Sequence, residues 1–368
     1  MRLLSVDVHD FRNIAQAHLD PSPRATILVG ENGQGKTNLL EAVYFACTLK
    51  PLRASRLADL VRFGTEKATV AAEIEGSGGT RRVAVEVAPG VRTAYLDGKS
   101  RDRLDEYFEG LAAVAFSPDD LLLVKGSPEY RRRFLDRAAF NRWPAVLAEA
   151  RDHLRALRSR NAALRSSTPE VEVSFRERLI RAGARLLVRR RDLLGELAPR
   201  FGEAFAEISG TGAPAARLVY RPAAGMRLEG DEDAVASRLA DILEARTERD
   251  REKGYTTAGP HMDDLALEIE TRGARSFASQ GQQRALVLAL KVAEIENLRS
   301  ALGRPPLLLL DDVSSELDPQ KNRFLLQYLA TLPGQAFLTA TDRRLLEAAA
   351  GPETVYYRVE GGTFSAEF

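Results

Sequence analysis

At 368 residues the chain exceeds the usual size of one domain, yet it holds no Ser/Gly/Pro-rich tract long enough to be a flexible tether, so two lobes within one body are expected. No apolar run approaches the roughly 20 residues that cross a bilayer, and the first ten residues lack the apolar centre of a secretion signal, which points to a cytoplasmic protein without a membrane partner. A single cysteine, Cys47, excludes an internal disulfide; the four histidines are too dispersed to suggest a metal cluster; and the net charge of +1 hides a division, because residues 131–200 carry 18 arginines, no lysine and 8 acidic residues, a surplus of ten that leaves the remainder at −9. Such segregation suits either a face for a polyanion or a solvated, Arg-rich helical surface.

In chain order, Leu3 to Val8 reads as a strand, and the short apolar strand Ala25 to Val29 runs into a Gly-rich turn followed by a helix through Cys47. Residues 69–95 alternate apolar and polar around the turn signal at 76–79, the pattern of an antiparallel hairpin with one wet face. From Pro144 the period changes. Leu147, Leu154, Leu157 and Leu164 form one apolar series, Ser166 to Pro169 interrupts it, and Leu179/Ile180, Leu186/Leu187 and Leu193/Leu194 repeat every seven residues, predicting an antiparallel helical hairpin of a few heptads per arm. Leu307 to Leu310, after two prolines, is an unbroken apolar run expected of a central parallel strand, and another strand is expected near Ala336 to Ala340.

Three motifs carry chemistry. Gly30, Glu31, Asn32, Gly33, Gln34, Gly35, Lys36 and Thr37 fit G-x-x-x-x-G-K-[ST] between a strand and a helix, the setting of an ATP-binding P-loop: backbone N–H groups turn inward on phosphates, Lys36 bridges their oxygens and Thr37 holds Mg²⁺. The Leu307 to Leu310 strand ends in Asp311, a second Mg²⁺-side group, and Asp312, a candidate catalytic base. Residues 279–284 (SQGQQR) open a second helix with a small polar turn. Since one nucleotide needs only one such cradle, Ser279, Gly281 and Gln282 suit a nucleotide held by a second copy, the lesser alternative being a simple helix cap by Ser279. The turn after the Asp pair, including Ser315 and Asp318, could form a subunit contact.

This order of motifs resembles the ABC ATPase superfamily, and the separation of about 240 residues between P-loop and signature resembles SMC-type heads whose halves flank an insertion. Asp10 to Ile14, Pro118 to Leu121, Gly126 to Asp136, Gly259-Pro260-His261, residues 279–284 and residues 311–318 together resemble the RecF family over essentially the full length. The resemblance implies an α/β fold, a P-loop ABC/SMC-type ATPase head with an antiparallel β subdomain and an inserted mainly helical lobe, divided at 1–115, 116–255 and 256–368. It further implies a protein that dimerises on ATP, binds gapped DNA or single-strand/double-strand junctions, and works with the RecO and RecR proteins to load RecA. Candidate DNA contacts from the charge pattern are Arg131, Arg132, Arg133, Arg189, Arg190 and Arg191. Departures matter too: Thr341-Asp342 stands where ABC transporters have a switch histidine, Asp312 replaces their usual Glu, and Met262 follows Gly-Pro-His where the family suggests Arg. A slow, DNA-stimulated ATPase used as a switch is expected, with His261 read as structural. An ABC transporter subunit would want a Gln at the lobe connection, absent from Ser117 to Asp120, and a DNA tether would want a far longer heptad insertion or a Cys-x-x-Cys hook.

Overall fold

The computed structural model describes residues 1–53, 56–76, 79–101, 104–166, 169–313 and 317–367. They fall into two compact units, Met1–Asp120 with Glu294–Phe368, and Leu121–Ala293.

The first unit opens with an antiparallel sheet made from β1 (Arg2–Phe11), β2 (Ile14–Leu19), β4 (Ala68–Gly76), β5 (Gly79–Ala88), β6 (Val91–Leu96) and β7 (Lys99–Ser100), in the order β2-β1-β4-β5-β6-β7. The expected hairpin is present as β4 and β5, paired from Ala68↔Val87 to Gly76↔Gly79, while residues 77–78 of the turn lie outside the described residues. Its alternation has a physical reading: Val83, Val85 and Val87 are buried while the residues between them face outward. β3 (Ala25–Val29) lies between β1–β2 and α1 (Lys36–Thr48) in sequence. α1 touches β1, β4 and β5 on one side and, on the other, strands of the second sheet of this unit, so nearly all of Leu39 to Thr48 is buried and the helix is apolar all round. α2 (Asp105–Phe108) and β8 (Ala113–Phe116) complete this stretch.

The second unit contains α3 (Leu122–Lys125), α4 (Pro128–Arg142), α5 (Val146–Ser166), α6 (Pro169–Ser209), β9 (Ala216–Arg221), α7 (Glu232–Ala245), α8 (Thr247–Lys253), β10 (Asp264–Ile269), β11 (Arg272–Gly273), α9 (Ala274–Phe277) and the start of α10 (Gln280–Leu302). α5 and α6 form the expected hairpin, and α7 lays Val235, Leu239 and Leu243 into the same core. The apolar stripe of α5 differs from the heptad reading. Val146, His153, Leu157, Arg160 and Leu164 are buried, while Leu154 is 43% exposed. A straight helix of 3.6 residues per turn aligns 153, 157, 160 and 164 on one face, and leucine identity had hidden the polar members.

Of those polar members, Arg160 is paired through two of its three guanidinium nitrogens, while its Nη2, Glu172 Oε2 and His153 Nε2 are buried without a hydrogen bond. The Arg160 Nε donates to Glu172 Oε1 at 2.8 Å, and its Nη1 donates to Asp250 Oδ2 at 2.7 Å and Thr256 Oγ1 at 2.8 Å. Asp250 Oδ1 also accepts from the backbone and hydroxyl of Thr257, so α5, α6 and α8 meet on one buried cation. His153 stays neutral, its pKa pushed down to about 3 by burial first and by the neighbouring His261 second.

The chain then returns to the first unit with β12 (Leu307–Leu310), α11 (Pro319–Thr331), β13 (Ala336–Ala340), β14 (Val355–Glu360) and β15 (Thr363–Glu367). The second sheet runs β15-β14-β3-β13-β12-β8, parallel except at the β15 edge. β12 is flanked on both sides, by β8 and β13, which is why Leu307 to Leu310 are all buried. Gln335 joins the two sheets: its Oε1 accepts from Leu3 N at 2.7 Å and its Nε2 donates to Leu3 O and Ser22 O.

The structure moves one expected boundary. Residues 256–293 belong with the helical unit rather than the C-terminal part, because β10 pairs along its length with β9 and Asp264 holds Arg131 of α4. Replacing Arg160 with Met should leave Glu172 and Asp250 buried without their counter-charge and lower stability by about 3–5 kcal/mol. Urea unfolding followed by circular dichroism measures this; a loss under about 1 kcal/mol would show that the buried cation is dispensable.

Candidate nucleotide-binding site

β3 ends at Val29 and α1 begins at Lys36, so residues 30–35 must reverse direction within six positions. Gly33 and Gly35 do so with φ of 81° and 118°, conformations that side chains resist. At Gly30 the constraint is contact, because a Cβ there would run into the carbonyl of Val359. The turn is fastened from two sides. Asn13 Nδ2 donates to Gln34 O at 3.2 Å and Asn38 Nδ2 to Asn13 Oδ1 at 2.8 Å, while the backbone N–H groups of Gly361 and Gly362 donate to Gln34 Oε1 and Gln34 O at 2.7 and 2.8 Å. Gln34 is therefore a fastener of the loop, and Glu31, Asn32 and Gly33 are left exposed along its rim.

The buried Lys36 folds back over the loop, its Nζ donating to Gly30 O at 2.5 Å and Glu31 O at 2.8 Å. Burial lowers its pKa, and Asp312 and Asp311 pull it back up. Thr37 Oγ1 donates to Asp311 Oδ1 at 2.6 Å, Thr339 Oγ1 donates to the same oxygen at 3.1 Å, and the Arg53 guanidinium lies 3.7 Å from Asp311 Oδ2. Burial raises the Asp311 pKa most, opposed by the Thr37 hydrogen bond and the Arg53 charge. Asp312 follows with φ of 48°, its N–H on Thr339 Oγ1 at 2.8 Å. A non-glycine residue in the left-handed region at the end of a catalytic-type strand is the kind of strain that clusters at functional sites.

These residues fit a magnesium nucleotide. A hydroxyl and a carboxylate side by side are the hard oxygen donors the cation takes, and the glycine turn opening α1 supplies inward N–H groups for phosphate oxygens. Four residues of the neighbourhood were not read from the sequence: Asn13, Thr339, Arg53, and Glu41, whose fully buried carboxylate takes the Arg12 fork at 2.8 and 2.9 Å and the Arg53 N–H at 3.2 Å. Asn13 lay within a stretch noticed only as a family mark, and Arg53 sits in a segment without periodicity.

The remaining candidates lie elsewhere. Ser279, exposed in the second unit, makes a reciprocal cap: its N–H donates to Gln282 Oε1 at 2.9 Å and its Oγ accepts from Gln282 N at 3.2 Å. That arrangement leaves the Ser279 hydroxyl hydrogen and the Gln282 amide NH₂ as donors, with Gly281 between them. Asp318 caps α11 through Lys321 N at 3.0 Å, whereas Ser315 falls outside the described residues. The six arginines assigned to DNA do not form one open patch. Arg131 is buried on Asp264 at 2.7 and 3.0 Å, and Arg190 is buried on Asp136 at 2.7 Å and Pro260 O at 2.6 Å. Arg132 donates to Asp263 O, Arg189 pairs with Glu149, Arg191 donates to Leu228 O, and Arg133 is exposed beside Glu129. His261 is internal, its Nε2 against Thr256 O at 3.0 Å.

Lys36→Ala should abolish ATP binding, since nothing replaces the ammonium against phosphate charge; isothermal titration with MgATP checks this, and wild-type affinity would remove the assignment. Asp312→Asn keeps a residue that tolerates positive φ, so ATP binding should persist while turnover falls at least about tenfold, as measured by phosphate release. Undiminished turnover would place the base elsewhere.

The comparisons with known proteins agree with this geometry. The family profile described as RecF/RecN/SMC N terminal domain matches residues 2–363. The DNA replication and repair protein RecF of Anaeromyxobacter dehalogenans (strain 2CP-C) is 72% identical over 368 residues, covering 99% of each chain. Its counterpart from Myxococcus xanthus (strain DK1622) is 53% identical over 370 residues, covering 98% of this chain and 96% of that one. Among solved structures, the recombination mediator protein RecF-ATPrS of the RecFOR pathway superposes with a TM-score of 0.90 at 26% identity, covering 100% of this chain and 98% of the other. The SMC head bound to the C-winged helix domain of ScpA, with a TM-score of 0.57 at 17% identity, shares the fold. A P-loop head of the ABC/SMC type, matched along its whole length by a RecF protein at 72% identity, this chain belongs to the RecF family.

Proposed function

We propose that this chain is a cytoplasmic, ATP-switched DNA-binding protein of recombinational repair and replication restart. It binds MgATP, pairs with a second copy, engages gapped DNA or single-strand/double-strand junctions, and with RecO and RecR assists RecA loading. The observation that carries the nucleotide half is the 2.6 Å meeting of Thr37 and Asp311 beside Lys36. The DNA half is supported by relatives named for DNA replication and repair and by the RecF-ATP relative of the RecFOR pathway.

MgATP supplies a polarised phosphoanhydride. Lys36 exchanges two neutral carbonyl acceptors for charged phosphate oxygens, a stronger class of hydrogen bond. Thr37 and Asp311 would supply hard oxygen donors to the cation, with Thr339 keeping the Asp311 carboxylate oriented. Asp312 orients water. Its side chain is one carbon shorter than the Glu usual there in ABC transporters, and Thr341-Asp342 offers no imidazole, so turnover is slow and the bound state long-lived. Ser279, whose hydroxyl hydrogen is free of the cap, donates across the pair to the other copy's phosphate.

Ser279→Arg tests this arrangement. Monomer ATP affinity should stay within about twofold while ATP-driven dimerisation is lost, because bulk and a cation enter the contact. A mixture of Ser279→Arg with Lys36→Ala places both lesions in one composite site and neither in the other. Analytical ultracentrifugation with ATP should then show partial dimer in the mixture and none in either variant alone; loss of ATP binding by isolated Ser279→Arg monomers would overturn the reading.

A further inference from the structure

The arginines of the helical hairpin divide into two sets. One set braces the arms from within: Arg189 pairs with Glu149 and Arg160 with Glu172. The other set faces outward. On α5, Arg151, Arg155 and Arg158 are spaced four and three residues apart, so they share one side of the helix, opposite His153, Leu157, Arg160 and Leu164. On α6, Arg178, Arg181 and Arg185 are spaced three and four apart, turned away from Leu179, Leu186 and Leu193. All six are exposed.

Their acidic company is thin. Arg155 reaches Asp152 only at 3.7 Å and Arg181 reaches Glu177 at 3.5 Å, both across well-exposed side chains, and Arg185 meets Glu232 at 3.0 Å. Among the described residues, no acidic partner is found for Arg151, Arg158 or Arg178. The bracing pairs also fix the register of the arms. Pairing 149 with 189 and 160 with 172 places Arg151, Arg155 and Arg158 beside Arg185, Arg181 and Arg178 to within about one helical turn.

We propose that the outer faces of α5 and α6 form a binding surface for the phosphate backbone of duplex DNA. The inference rests on the DNA-binding reading above and says where that DNA lies. Charge density favours the duplex: the seven helical steps from 151 to 158 rise about 10 Å, a length over which duplex DNA carries about six phosphate charges, against the six arginines of the ladder. The flanking positions Ala148, Ala162 and Ala182 carry no hydrogen-bonding side chain, so apart from the hydroxyls of Ser159 and Ser174 the surface offers only cations, which suits contact to the backbone. The internal Arg–Glu braces hold the arms in register and so keep the ladder at fixed spacing.

The test reverses charge on one arm, Arg151→Glu/Arg155→Glu/Arg158→Glu, with the milder Arg→Gln triple at the same positions beside it. Arg227→Glu/Arg249→Glu, exposed in the same unit but outside the hairpin, is the control. Fluorescence anisotropy with labelled duplex and ATP across a salt series gives affinity and slope. The Glu triple should weaken binding at least about tenfold, and both triples should flatten the log K against log salt slope by about 0.9 for each phosphate no longer neutralised, with ATP affinity unchanged. If the wild-type chain binds and either the triples match it, or the control loses as much per charge reversed, the surface falls while the DNA reading stands. Absence of salt-dependent duplex binding by the wild-type chain with ATP would sink both.

Discussion

The nucleotide end of the first unit depends on one buried carboxylate. Asp311 receives hydroxyls from Thr37 on α1 and Thr339 on β13, and its neighbour Asp312 is tied to the same Thr339 through its backbone. Three segments far apart in sequence thereby fix a single oxygen, and its burial gives every one of those hydrogen bonds more weight than it would have in water. The glycine turn is placed separately, by Asn13 and by the backbone between β14 and β15, so loop shape and cation-side chemistry are set by different parts of the same unit.

Much of this was legible in the sequence because the relevant signals are local. A P-loop is a backbone shape specified by adjacent glycines, and an unbroken Leu run ending in Asp-Asp specifies a buried strand and its mouth. The hairpin of β4 and β5 followed equally directly from period-two alternation. Signals that depend on distant partners were silent. Nothing near Asn13 reveals that its amide holds Gln34, nothing near Arg53 reveals Asp311, and the second domain boundary depends on β9 pairing with a strand about 45 residues later. On α5 the error was one of residue type: His153 and Arg160 are core positions that an apolar count passes over.

The arginine surplus is divided between internal and open positions, and the runs that stand out in the sequence fall on both. Runs such as Arg131 to Arg133 and Arg189 to Arg191 catch the eye, but three consecutive residues on a helix point in three directions, so one member of each run is buried as a structural cation. Arginines spaced by three and four, scattered along the sequence, are the ones that share an open face. Separation of internal from external charge is thus written in spacing, while its total is written in composition.

The order of strands β14-β3-β13-β12-β8 bears on how the chain is made. β3 is among the first segments synthesised, yet its two neighbours in the sheet come from residues 336–340 and 355–360, and Leu3 waits for Gln335. During elongation the first unit can form its antiparallel hairpins but not its nucleotide-bearing sheet, whereas Leu121–Ala293 is contiguous and can close earlier. β3 and α1 must therefore spend most of translation with apolar surface uncovered, and a ribosome stalled before residue 336 would hold an ordered helical unit attached to an unfinished, aggregation-prone ATPase.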